Sequence, residues 1–143
     1  MGHTGTLDPL ATGCLLIATE NSTKLISRLE NHQKTYLFTV DTSIISPSLD
    51  LGTETDRVSI ENIKDRSNDE IITFLENQTT QLPPKYSAIH IGGKRAYELV
   101  RAGKEFDISE RNIQISDVEI IEKALPKITI RLTISSGGYI RSF

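Results

Sequence analysis

Alternation of apolar and polar side chains is clearest over Lys127 to Ser135, where Ile128, Ile130, Leu132 and Ile134 share one face and Thr129, Arg131, Thr133 and Ser135 the other. A period of two is that of a β-strand with one covered face, which leaves the other face open or ligand-facing. Lys34 to Val40 repeats it, with Tyr36, Phe38 and Val40 set against Leu37 and Thr39, and Ile113 to Ile121 predicts a further strand. Thr12 to Thr19, with the apolar run Cys14 to Ala18, predicts a short buried strand. Lys85 to Ile91 predicts another, entered through the stiff Pro83-Pro84 pair and left through a turn at Gly92-Gly93.

The helical signals are of a different kind. Ser67-Asn68-Asp69-Glu70 has the spacing of a capping box, and Ile71, Ile72, Phe74 and Leu75 follow as an apolar stripe. Asn21 or Ser22 is placed to cap a helix carrying Leu25, Ile26 and Leu29 on one face. Lys94 to Ala102 predicts a short helix stopped by Gly103. Ser43 to Arg57 is a polar loop with Pro47 and Gly52, placed for an edge hairpin. No repeat, low-complexity tract or linker divides the chain. The element order predicts an α+β fold, a mixed, mainly antiparallel sheet with helices packed on it.

Composition narrows this picture. At 143 residues there is length for one domain, and with no Trp and 6% aromatics its core must be aliphatic. A net charge of −3 gives no overall basic signature, so any nucleic-acid face has to be a local patch. The densest such patch is Lys85, Lys94, Arg95, Arg101 and Lys104. Lys24 and Arg28 read as a solvated face or as a second phosphate contact. The single cysteine, Cys14, cannot form an internal disulfide and reads as a small core residue in a reducing compartment. No apolar stretch approaches the ~20 residues of a membrane span, and no charged-then-apolar leader opens the chain. A soluble, cytoplasmic protein is the expectation. His3, His32 and His90 are scattered, which offers no metal-ligand cluster, and there is no GxGxxG or P-loop, so no cofactor is expected.

The candidate chemistry gathers in Gly2 to Gly13, GHTGTLDPLATG. Glycine permits close backbone approach, and Pro9 biases Asp8 towards an extended conformation, so Asp8 should be held at a loop tip. A carboxylate presented this way serves as nucleophile, general base, metal ligand or turn-forming Asx residue, and by itself the last reading is the commonest.

This run, with Lys34-Thr35-Tyr36 and Gly138-Tyr139-Ile140-Arg141 following in order, resembles the tRNA pseudouridine synthase B family, the bacterial tRNA pseudouridine-55 synthases. Pro83-Pro84-Lys85-Tyr86-Ser87-Ala88 and Gly93 to Leu99 resemble the family as well. The resemblance implies a pseudouridine synthase-like fold and isomerisation of a T-loop uridine by base flipping. The bond from C1′ to N1 breaks, the base turns while bound, and C5 rejoins the sugar, with no redox equivalent or metal consumed. It implies Asp8 as the carboxylate that attacks C1′ or promotes elimination, Arg141 as its cation, and Tyr36 as the ring on the flipped uracil. Without the resemblance, Arg141 is a surface charge, Tyr36 a half-buried strand tyrosine and His3 a loop histidine. With it, His3, Lys34, Lys85, Lys94, Arg95 and Tyr139 become RNA contacts, the basic residues suiting phosphates rather than bases. The implied partner is a tRNA T-arm, recognised by shape and an extruded base, with no obligatory protein partner and no membrane.

Against that family, residues 1–143 are expected to be part of a catalytic domain, incomplete at both ends and without a C-terminal PUA domain, so that edges and apolar surface are exposed. Where the family usually has G-x-x-T-D-T-x-D, this chain has Ser43, Ser46, Pro47, Ser48 and Asp50, and Gly138 stands where threonine is common. The alternative function is an inactive chain that binds RNA through the Lys85 to Lys104 patch. A guide-RNA-dependent relative is a third reading, against which His3 and LDPLATG argue.

Overall fold

The computed structural model of the chain describes residues 1–29, 33–59 and 64–143; His32 lies outside them. In chain order, β1 (Gly2–His3) pairs antiparallel with β2 (Ile17–Ala18), and a 3₁₀ stretch from Glu20 to Leu25 leads into α1 (Ile26–Leu29). Next come β3 (Lys34–Asp41) and the small antiparallel pair β4 (Ile44–Ile45) and β5 (Asp56–Arg57). After α2 (Asn68–Glu76) lie β6 (Thr80–Gln81), the hairpin of β7 (His90–Ile91) and β8 (Lys94–Arg95), and α3 (Ala96–Arg101). Then β9 (Arg111–Asn112) pairs back on β6, and β10 (Ile115–Ala124), β11 (Lys127–Ile134) and a 3₁₀ turn at Ile140–Ser142 complete the described chain.

The main sheet has the order β10-β11-β3 and is antiparallel throughout. Its register follows from the alternation in β11. Ile130, Leu132 and Ile134 are buried, Leu132 completely, and join Leu75 of α2 and Ile113 in one aliphatic core against which Tyr36, Phe38 and Val40 pack. The opposite face is occupied by cross-strand pairs: Thr35 with Thr133 and Thr39 with Thr129, each at 2.9 Å, and Arg131 with Glu119. α2 begins at the capping box expected of it: Ser67 Oγ accepts from Glu70 N at 3.2 Å, and a Glu70 carboxylate oxygen accepts from Ser67 N at 2.7 Å. The α+β architecture is therefore the observed one.

Several local expectations are corrected. β10 runs to Ala124, beyond Ile121, through two register irregularities, with Asp117 at φ 53. Phe74 of the α2 stripe turns outward, 59% exposed, while Leu75 faces the core. Thr12 to Thr19 does not form a buried strand. Only Ile17–Ala18 pairs, its ladder is two residues long, and Leu15, Leu16 and Ile17 are exposed along with Cys14, which is therefore not a core residue. The helix expected after Asn21 or Ser22 is mostly 3₁₀ and starts after Thr19, with no side-chain cap. The helix expected from Lys94 starts at Ala96, because Lys94 and Arg95 belong to the hairpin that Gly92 and Gly93, at φ 56 and 84, close.

Lys85 to Ile91 is a strand only at its last two residues. Its carbonyls serve separate partners rather than one ladder. Ser87 O accepts from Tyr97 N at 3.1 Å, Ala88 O from the Arg95 guanidinium at 2.5 Å and Ile89 O from Ala96 N at 2.8 Å. The fourth, Tyr86 O, faces the site.

Candidate active site

Asp8 opens a turn in which Ala11 N donates to Asp8 O at 2.9 Å, with Pro9 next in sequence, where the ring's fixed φ suits a turn. This holds the carboxylate against Arg141, which the 3₁₀ turn after Gly138 delivers from the far end of the chain. Arg141 Nη2 donates to Asp8 Oδ1 at 3.0 Å, and Nε, itself buried, lies 2.9 Å from Oδ2 without hydrogen-bond alignment. The arginine side chain is 13% exposed and that of Asp8 44%, so the carboxylate keeps an open side on which a substrate can approach.

Two carbonyls complete the guanidinium's surroundings, Ser48 O at 2.9 Å from Nη1 and Tyr86 O at 3.1 Å from Nη2. A second carboxylate, Asp50, sits 3.5 Å from Nη1. Its Oδ1 is held by the Ser48 hydroxyl at 2.6 Å and Gly52 N at 2.8 Å. A Cβ on Gly52 would stand 2.9 Å from that oxygen, so glycine is what lets the amide approach. Ser48 Oγ also meets Thr53 Oγ1 at 2.8 Å, which ties the loop to itself. One cation thus serves two carboxylates, and its contact with Asp8 is the closer.

Tyr36, half-buried on β3, is close enough to feel Asp8. Burial holds its phenol above the ordinary value, and the negative charge of Asp8 pushes the same way. Tyr36 is therefore a neutral hydroxyl at physiological pH. Lys34, two positions earlier on the same strand, donates to Thr4 O at 3.3 Å, and its Nζ would lie 3.1 Å from a Cβ on Gly5. It fastens the loop that carries Asp8.

The other expected contacts are spread around this centre. His3 is exposed on β1. The Tyr139 main chain is held by Gln81, its carbonyl accepting from Nε2 at 2.8 Å and its N–H donating to Oε1 at 2.7 Å. Lys85 adjoins Tyr86 and extends over the Phe106 ring at 5.9 Å. Lys94 is exposed at the hairpin, whereas the Arg95 guanidinium is engaged by Ala88 O. Among the described residues no group of three or more His, Cys, Asp or Glu is arranged to hold a metal.

Residues 1–140 match the family described as TruB family pseudouridylate synthase (N terminal domain). The chain belongs to this family. It is 43% identical over 143 residues to tRNA pseudouridine synthase B of Flavobacterium johnsoniae, covering 99% of this chain and 62% of that protein. The proteins of the same name from Parabacteroides distasonis and Phocaeicola vulgatus are 39% and 38% identical over 143 residues, each match covering 99% of this chain and 61% of the relative. The chain thus spans about three fifths of the length of these curated relatives.

Two positions of this TruB-family chain singled out from its sequence, Pro47 and Gly138, fall beside the site. Pro47 lies in the turn closed by Leu49 N and Ser46 O at 3.2 Å, with Leu49 at φ 60, and the turn presents Ser48 and Asp50 to Arg141. Gly138 packs against Ile134. A Cβ there would overlap Ile134 Cδ1 and stand 2.6 Å from Cγ1, so threonine does not fit beside this isoleucine.

Four contributors were not anticipated: Ser48, Asp50, Tyr86 and Gln81. Asp50 carried a signal, the last acidic position of the pattern quoted above. Ser48 and Tyr86 bind Arg141 through main-chain carbonyls, which any residue type supplies.

Proposed function

We propose that this chain carries the catalytic centre of a tRNA pseudouridine synthase that isomerises a T-loop uridine, residues 1–143 being part of its catalytic domain. The observation that carries the reading is the ion pair of Asp8 with Arg141 across 133 positions; the negative charge of Asp8 adds to burial in raising the Tyr36 phenol. An ionised carboxylate, half open and held by a buried cation, is what a cofactor-free cleavage at C1′ requires. Asp8 attacks C1′ or promotes elimination as the bond to N1 breaks, and the pair of electrons leaves with the base. The base turns and C5 bonds to C1′, either displacing the Asp8 carboxylate from the ester that attack formed or adding to the double bond left when Asp8 takes the C2′ proton, which C2′ then regains; the proton on C5 departs and N1 gains one. Tyr36, apolar in its ring and neutral at its hydroxyl, faces the uracil; Arg141 holds the Asp8 carboxylate aimed.

His3, Lys34, Lys85, Lys94, Arg95 and Tyr139 are the proposed RNA contacts, and four of them differ in how free they are. His3 and Lys94 are exposed and free to meet the T-arm. Lys34 and Arg95 already bind main-chain carbonyls, so their contribution is first to shape. The relatives are named for action on tRNA, which supports tRNA as substrate.

The test is digestion of a T-arm transcript to nucleosides after incubation with this chain, and with the same chain joined to the remaining segments of the Flavobacterium relative. Pseudouridine from either protein supports the reading. None from either overturns it in favour of RNA binding alone.

A further inference from the structure

The 3₁₀ turn that carries Arg141 packs Ile140 and Phe143 on the aliphatic core but has few main-chain bonds of its own. Its main-chain bonds are local: Gly138 N to Ser135 O, Ser142 N to Tyr139 O and Phe143 N to Ile140 O, each at 3.2 Å. Besides that packing and the bonds of Arg141 to Ser48 O and Asp8, its polar ties run to one distant stretch, Gln81 to Tyr86. Gln81 is 8% exposed, and its side-chain amide both donates to Tyr139 O and accepts from Tyr139 N, at 2.8 and 2.7 Å. A side chain thus supplies the two bonds that a neighbouring strand would otherwise make. On the other side of Arg141, Ser142 Oγ donates to Leu82 O at 2.8 Å.

The same stretch reaches the guanidinium. Pro83 and Pro84 are buried and have fixed φ, and beyond them Tyr86 O accepts from Arg141 Nη2 at 3.1 Å. At its near end Gln81 is itself anchored, paired with Arg111 in the β6–β9 ladder. We propose that Gln81 is a positioning residue for Arg141, and that Gln81 to Tyr86 is a brace gripping that residue by its flanking main chain at one end and by its guanidinium at the other. The inference rests on the roles given to Asp8 and Arg141 above. Glutamine meets both requirements at position 81, a donor and an acceptor at this reach. Glutamate lacks the donor, asparagine is a methylene too short, and methionine has the length but neither polar group.

The test uses whichever of the two proteins above turns over. Single-turnover rate and RNA affinity are measured separately for the parent, Gln81→Met, Gln81→Glu, Arg141→Ala and the double variant Gln81→Met with Arg141→Ala. Loss of alignment by about 1 Å predicts a rate lowered about tenfold to a hundredfold in Gln81→Met, with RNA affinity unchanged within about twofold. Because the brace acts through Arg141, Gln81→Met should cost nothing further once Arg141 is alanine. A parental rate in Gln81→Met, or a loss that multiplies that of Arg141→Ala, overturns the proposal.

If Gln81→Met does not fold, Ser142→Ala removes only the tie to Leu82 and carries the same test, its smaller loss vanishing on the Arg141→Ala background. If the parent proteins make no pseudouridine, the synthase reading falls and the brace is judged by NMR. Arg141 guanidinium protons that exchange slowly in the parent chain and rapidly in Gln81→Glu support it; equal exchange in both overturns it.

Discussion

Arg141 and Asp8, 133 positions apart in the chain, meet with Nη2 3.0 Å from Oδ1 and Nε 2.9 Å from Oδ2. The planar guanidinium also reaches Ser48 O and Tyr86 O, a set of partners in different directions that a single ammonium cannot reproduce. Arg141→Lys should therefore lower kcat/KM by about a hundredfold, roughly 2.7 kcal/mol of transition-state stabilisation. Steady-state kinetics on T-arm RNA checks it, and retention of activity within a few-fold would show that charge alone suffices.

Asp50 adds a second carboxylate to the same cation at 3.5 Å, and is locked by Ser48 Oγ and Gly52 N. Asp50→Asn keeps the shape, removes the charge and weakens both bonds to the loop. It should slow turnover by about tenfold while leaving RNA affinity near that of the parent. An unchanged rate would reduce Asp50 to a loop-forming residue.

Much of this arrangement was legible in the chain, and the part that was not has physical causes. Alternation over Lys34 to Val40 and Lys127 to Ser135 read out both β3 and β11, because one face of each is packed on the aliphatic core. Asp8, Tyr36 and Arg141 stood out by motif. The contacts among them did not, since strand periodicity says nothing of which loops meet. Lys85 to Ile91 misled for a related reason: a β-rich composition suggests a ladder, whereas carbonyls 86 to 89 go to four separate donors. Cys14 to Ile17 misled because apolar character predicts burial only where another element covers it.

The Tyr36 phenol is raised by burial and further by Asp8. It should titrate above its ordinary value of about 10, and Asp8→Asn should bring it part of the way down while burial keeps the remainder. A folded-state pKa above the unfolded one stabilises the fold below the unfolded value, and that contribution is lost as pH rises through the folded one. Tyrosine ring carbon shifts followed with pH give the answer. A Tyr36 that titrates at or below the ordinary value would remove it from the neighbourhood of Asp8.

The α2 cap is reciprocal, and the bonds from Ser67 hold the Glu70 carboxyl below its ordinary value. Ser67→Ala should cost about 1 kcal/mol in chemical denaturation. The Glu70 contribution is present above its unfolded pKa and is lost as pH falls through the folded one, so the gap between the parent and Glu70→Gln should narrow in acid. A gap independent of pH would mean that the carboxylate adds nothing to the cap.

The central claim is that Asp8 performs the chemistry at C1′, and release of tritium from uracil C5 in a T-arm transcript reads it directly, because that proton leaves only after the base has been detached and rejoined. The parent protein should release tritium, and Asp8→Asn, equal in shape and still able to bind the RNA, should release none above background. Release at the parental rate by a folded Asp8→Asn would contradict the account and move the catalytic role to another residue.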